Sequence, residues 1–75
     1  MSYAERLRAA RIAKELPQFE VAYRLGIGLT TYLRWETGKS EPRVSEFVTW
    51  CHLVGEDPAA VITTIEPVLA DRAAS

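Results

Sequence analysis

Residues 18–38 read QFEVAYRLGIGLTTYLRWETG, and the spacing of apolar side chains and glycines in this stretch decides the fold. Val21, Ala22 and Leu25 recur at three- and four-residue intervals, which predicts a helix over 18–25 with one inward face. Pro17 suits the start of that helix, because the N–H it lacks would have no partner there anyway. Gly26 permits a tight exit with positive φ. A second helix over 29–36 turns Tyr32 and Trp35 inward and Leu29, Thr30, Leu33, Arg34 and Thr37 outward. Ala22 is small enough for a close helix contact, Ile27 is placed to plug the corner, and Tyr32 packs the second helix back on the first. The result is two short helices across a glycine-containing turn.

Helical spacing continues on both sides. Upstream, Tyr3, Leu7, Ala10 and Lys14 form one stripe of a helix over 3–14, with Ser2 as its N-cap. Downstream, the loop 37–42 leads into a helix over 43–54, with Val44, Phe47, Cys51 and Val54 at core spacing and Gly55 as its stop. Asp57 caps a fifth helix with Pro58 in its first position, and Val61, Ile62 and Ile65 give it an apolar side. Trp35 and Trp50 read as core, and Phe19 and Tyr23 pair four residues apart on the edge of theirs. No segment alternates with period two, so the fold class is all-α with five helices. The domain is expected over residues 1–66. Pro67 ends or kinks the last helix, leaving a tail over 67–75 that frays or adds one more turn.

Composition sets the outer limits. The chain has 75 residues, 48% apolar and 25% charged, which suits one domain with one modest core. It lacks the ~18-residue apolar run of a membrane span, and Met1 to Arg8 carries charge where a signal peptide needs an apolar run. Cys51 is the only cysteine, so it has no internal disulfide partner and reads as a small buried filler. A cytoplasmic, nucleoid-associated location is expected. His52 stands beside Cys51 with no further ligand spacing, so no metal or other cofactor is expected. Nor is there a nucleophile–base set or a phosphate loop, and the chain is not expected to be an enzyme. Net charge is −1, but it is unevenly spread. Residues 1–43 hold eight Lys/Arg against five acids, and residues 44–75 hold one against five, giving +3 in front and −4 behind.

The order Leu7, Arg11; Gln18, Val21, Ala22, Leu25, Gly26; Tyr32, Arg34, Trp35, Glu36, Gly38, Lys39; Pro42; Gly55 resembles the repressor/Cro-type helix-turn-helix family of phage repressors, bacterial regulators and antitoxins. The matching stretch runs from about Leu7 to Ile62, most of the chain. The resemblance implies a five-helix lambda-repressor-like DNA-binding domain, with the helix over 29–36 in the major groove of double-stranded DNA. Carried over by position, Gln18 is the residue that holds a phosphate at a helix start. Gly28, Leu29, Thr30, Leu33 and Arg34 present the recognition surface, with Arg34 the first candidate for a guanine edge. Lys39 and Arg43 flank a loop that lies along the DNA backbone, and Arg11 with Glu36 forms a largely buried, structural salt bridge. Some positions depart from the family. Pro17 replaces the usual Ser, Thr or Asn cap, and Glu15 stands where Gly is common, which predicts a first turn built differently. Leu29 sits where many members carry a polar or basic base-reading residue; a leucine packs equally on a thymine methyl or on a protein.

Two functions follow from this. The first is a sequence-specific transcriptional regulator, a dimeric repressor. The second is an antitoxin-like or adaptor protein that grips a partner (a toxin or another regulator) through Leu29, Leu33 and its C-terminal surface. One such domain touches few base pairs, so specific affinity calls for a homodimer on paired half-sites. Leu53, Ile62, Ile65, Val68 and Leu69 are the expected two-fold interface, against burial within one subunit.

Overall fold

The computed structural model describes residues 2–63, and the tail positions Ile65, Val68 and Leu69 lie outside them. Five helices follow in order: α1 (Tyr3–Ala13), α2 (Gln18–Leu25), α3 (Leu29–Glu36), α4 (Val44–Leu53) and α5 (Pro58–Ile62). They form a five-helix all-α domain of the lambda-repressor-like kind, with α2 and α3 as its helix-turn-helix. α1 begins where the Ser2 hydroxyl accepts the Glu5 N–H at 3.2 Å. α5 begins where the Asp57 carboxylate accepts the Ala59 N–H at 3.1 Å, with Pro58 in its first turn.

The first four helices end in the same way. After each, one N–H bonds the carbonyl three residues back and the next N–H bonds the carbonyl five residues back. The pairs are Glu15→Ile12 with Leu16→Arg11, Gly26→Tyr23 with Ile27→Ala22, Gly38→Trp35 with Lys39→Arg34, and Gly55→His52 with Glu56→Cys51. This is the Schellman closure, which holds its pivotal residue in the left-handed region. Glycine fills that position at 26, 38 and 55; at the α1–α2 turn it is Glu15, with φ 58°. The expectation of a differently built first turn is therefore corrected: the hydrogen bonds are those of the other three ends, and only the residue differs.

The core is Ala4, Leu7, Val21, Ala22, Tyr32, Trp35, Trp50, Cys51, Val54 and Val61. Its centre is aromatic. Trp50 meets Tyr32 and Tyr3 edge-on at ring-centroid distances of 5.4 and 6.5 Å, and Tyr3 meets Phe47 at 5.4 Å. The Trp50 indole N–H donates to the Tyr32 hydroxyl at 3.1 Å, so the buried polar end of each ring is satisfied. α2 packs on α3 and α4, α1 on α3 and α5, and α4 on α5. Arg6 ties the two ends of the domain together, donating to the Ala60 carbonyl and the Glu56 carboxylate, both at 3.1 Å.

Three positions on the expected helix stripes turn outward, of which Ile62 is also an expected interface residue. Val44 is 81% exposed. It shares a helical face with Cys51, but seven residues back it lies about 10 Å further along the axis, at the first residue of α4 and beyond the buried centre at Trp50 and Cys51. It lines a shallow groove with Tyr3, Glu41, Pro42, Phe47 and Ile62. Lys14 closes the predicted α1 stripe but lies past the end of the helix, exposed, with its stem laid across Gly55. Ile62 ends α5 with 43% of its surface exposed, whereas Val61 beside it is fully buried.

Candidate nucleic-acid interface

The turn between α2 and α3 is set by Gly26 and Gly28. Gly26 takes φ 72° and closes α2, and Gly28 stands at the N-cap of α3. Neither α2, entered through Pro17, nor α3 receives a side-chain cap, so the first N–H groups of both helices are left without a side-chain partner. α3 then divides its residues as its spacing predicts. Tyr32, Trp35 and Glu36 are buried, while Leu29, Thr30, Thr31, Leu33 and Arg34 are exposed.

What fixes α3 in rotation is a buried carboxylate. Glu36 is 6% exposed and Arg11, from α1, 7%. Arg11 Nε donates to Glu36 Oε2 at 2.6 Å and Nη2 to Oε1 at 3.3 Å, while Nη1 donates to the Leu16 carbonyl at 2.8 Å. Gln18, at the start of α2, donates its side-chain N–H to Glu36 Oε1 at 3.1 Å. The Tyr32 hydroxyl, which accepts from Trp50, also favours the charged form of this carboxylate. Burial by itself would raise the Glu36 pKa. The hydrogen bonds from Arg11, Tyr32 and Gln18 outweigh it and hold the carboxyl below its ordinary value. Tyr32 is pushed the other way, upward, by burial and by the Glu36 carboxylate. The pair expected to be structural, Arg11 and Glu36, is thus the hub at which α1, α2 and α3 meet.

The other expected site residues spread from this hub. Gln18 is half-buried, with part of its amide committed to Glu36. Leu29 and Leu33 are 44% and 36% exposed. Arg34 is exposed and folds back to donate to the Lys39 carbonyl at 3.4 Å, which brings its guanidinium to the loop that carries Lys39. Lys39 and Arg43 are exposed as well; the Arg43 backbone N–H donates to Glu46 at 2.8 Å to start α4. Leu53 is half-buried against the core of its own subunit. Among the described residues Arg6, Arg8, Arg11 and Arg24 have acidic partners, and Lys14, Arg34, Lys39 and Arg43 make no ion pair with any described residue; Lys14 stands apart, past the end of α1 with its stem over Gly55. Free positive charge therefore gathers at the C-terminal end of α3 and the loop behind it.

Sequence reasoning missed two surface residues here. Thr31 joins the exposed face of α3. Arg8, on α1, brings its Nε to 3.9 Å from Glu36 Oε1, the oxygen that Gln18 also bonds, while its side chain stays 58% exposed. Since Arg11 already neutralises that carboxylate, Arg8 adds a solvent-facing cation beside the start of α2. Arg8 lies off the apolar stripe of α1, and its nearness to Gln18 is a product of packing.

No group of three His, Cys, Asp or Glu side chains among the described residues lies close enough to hold a metal ion. No described helix is long and apolar enough to cross a membrane. A family model described as a helix-turn-helix domain matches residues 4–67. No curated protein and no solved structure matches the chain.

Proposed function

The chain belongs to the repressor/Cro-type helix-turn-helix domain family, whose members bind DNA, and from that premise we propose that it is a sequence-specific transcriptional repressor acting as a dimer. The observation that carries this is the free charge just described: Arg34, Lys39 and Arg43 lie at the C-terminal end of an exposed α3 and in the segment that follows it, while the opposite side of α3 is locked into the core. α3 enters the major groove. Arg34 swings from the Lys39 carbonyl to a base edge, Lys39 and Arg43 hold phosphates, and Gln18 with the uncapped start of α2 holds another. With a net charge of −1, a single copy binds non-specific DNA weakly. Two copies on half-sites one helical turn apart recover the affinity. Ile62 and Leu53, together with Ile65, Val68 and Leu69, form the two-fold contact.

The test is selection of binders from a random duplex pool, followed by variants on the enriched sequence. Arg34→Ala loses preference at one base position by about 1–3 kcal/mol. Lys39→Ala weakens all sequences alike and lowers the salt slope by about one. Sedimentation of wild type against Ile62→Glu reads the dimer. One observation favours a second function. Phe19 and Tyr23, at 65% and 83% exposure, add aromatic surface on α2 to the two leucines of α3, as an adaptor for another protein requires. A pool that yields no enriched duplex, with a protein complex abolished by Leu33→Glu, decides for the adaptor.

A further inference from the structure

The outward side chains of α3 are rich in methyl groups and poor in directional hydrogen-bonding groups. Leu29, Thr30, Thr31, Leu33 and Arg34 face solvent, and the helix's one carboxylate, Glu36, is buried against Arg11. α3 contains no Asn, Gln or Asp. The side chains that pair bidentately with adenine or accept from cytosine N4 are thus missing from its surface, and Arg34 alone is suited to guanine. The major groove offers one apolar feature, the C5-methyl of thymine. We propose that Leu29 and Leu33 read thymine methyl groups, so that each half-site is specified chiefly by thymines rather than by a pattern of donors and acceptors.

This rests on the DNA-binding function above and names what its recognition helix selects. The other candidate occupant of an exposed leucine pair is a protein. Charge decides between them here: Arg34 and Lys39, free of ion pairs with the described residues, stand at the C-terminal end of the helix that carries the leucines, with Arg43 past the loop, and they complement the phosphates that border a major groove. Spacing agrees. Leu29 and Leu33 lie one turn apart, about 6 Å along the helix, close to two base-pair steps of about 3.4 Å. The contacted thymines therefore lie about two steps apart. Thr30 and Thr31, between them, present both methyl and hydroxyl groups and discriminate little.

Deoxyuridine in place of thymidine removes the methyl and leaves the pairing edge intact, which isolates the contact. The full chain is used to enrich a random duplex pool, and the enriched duplex is then made with deoxyuridine at one thymidine at a time. At the two contacted positions each replacement weakens binding about fourfold, the value of one buried methyl-sized group, and at other positions it changes nothing. In Leu29→Ala one of these two penalties disappears, and in Leu33→Ala the other. Both side chains are surface residues, so the helical circular dichroism of the variants stays that of the wild type. An enriched site lacking thymine, or deoxyuridine tolerated at every position of a tightly bound site, overturns methyl reading while leaving DNA binding intact. A pool with no enriched duplex overturns the DNA-binding function and methyl reading with it.

Discussion

Replacing Glu15 by glycine should make this protein more stable. Glu15 holds φ 58° so that its N–H reaches the Ile12 carbonyl at 2.9 Å and the Leu16 N–H reaches that of Arg11 at 3.1 Å. An L-residue with a Cβ gives up about 1–2 kcal/mol in that region. Glycine removes this strain but has more freedom to lose on folding, which returns about 0.4–1 kcal/mol. The side chain itself is exposed and makes no hydrogen bond or ion pair with the described residues. A carboxylate at a helix C-terminus is also unfavourable, by about 0.3 kcal/mol at the low end. The net gain is about 0.3–1.9 kcal/mol, or a rise in Tm of about 2–12 °C for a domain of this size. Glu15→Ala separates the two parts of this sum: it removes the charge but keeps the Cβ, and should stay within about 0.5 kcal/mol of wild type. Urea unfolding followed by the fluorescence of Trp35 and Trp50 reads all three proteins. Equal stability in the glycine and alanine variants would refute the idea that backbone strain is stored at this turn.

Two further outcomes follow from the buried network. Because folding lowers the Glu36 pKa from its ordinary value of 4.5, its stabilisation is complete above that value and is lost as pH falls through the folded pKa. Unfolding free energies measured between about pH 6 and pH 3 should therefore show the wild-type advantage over Glu36→Gln shrinking toward the acid end, and a constant gap would contradict it. Tyr32→Phe removes the acceptor of the buried Trp50 indole N–H and a hydroxyl that favours the Glu36 carboxylate, at a cost of about 1–3 kcal/mol. Chemical denaturation reads it, and a loss below about 0.5 kcal/mol would mean that the hydroxyl is not part of the network.

Helix bounds were legible because glycine and proline punctuate them. Gly26, Gly38, Gly55 and Pro58 mark ends and starts that the structure reproduces to within a residue. The inner faces of α2 and α3 were legible because Val21, Ala22 and Leu25, and then Tyr32 and Trp35, recur at three- and four-residue spacing, although Phe19, Tyr23, Leu29 and Leu33 leave large apolar side chains outside as well. Glu15 was not, since the backbone at that turn is dictated by closure of α1 while the residue there is one that disfavours it. Val44 shows the limit of periodicity: spacing gives the angle of a side chain around its helix but not whether a neighbour covers that height. Arg8 and the tie between Gln18 and Glu36 depend on how α1 is laid against α2 and α3, which no local pattern contains.

The buried ion pair raises the question of why a small core holds a charge at all. Desolvating Arg11 and Glu36 costs several kcal/mol per ion, and an apolar pair of equal volume is often as stable or more so. Stability is thus a weak reason for keeping it. Geometry is a better one. Glu36 is the last residue of α3, and its two oxygens take donors from α1 and α2, so one side chain fixes the angle of α3 about its own axis against both neighbours. Each residue of a helix turns by about 100°, and a slip of a fraction of that would carry Leu33 or Arg34 off the face that Leu29 and Thr30 share. An apolar contact tolerates such a slip, because dispersion has little directionality; a bidentate guanidinium–carboxylate pair does not. Gln18 is held by the same carboxylate, so the start of α2 and the face of α3 are set in register by one group. The desolvation of a single ion pair thereby fixes a surface on which the groups proposed to meet phosphate and those proposed to meet bases keep a constant distance.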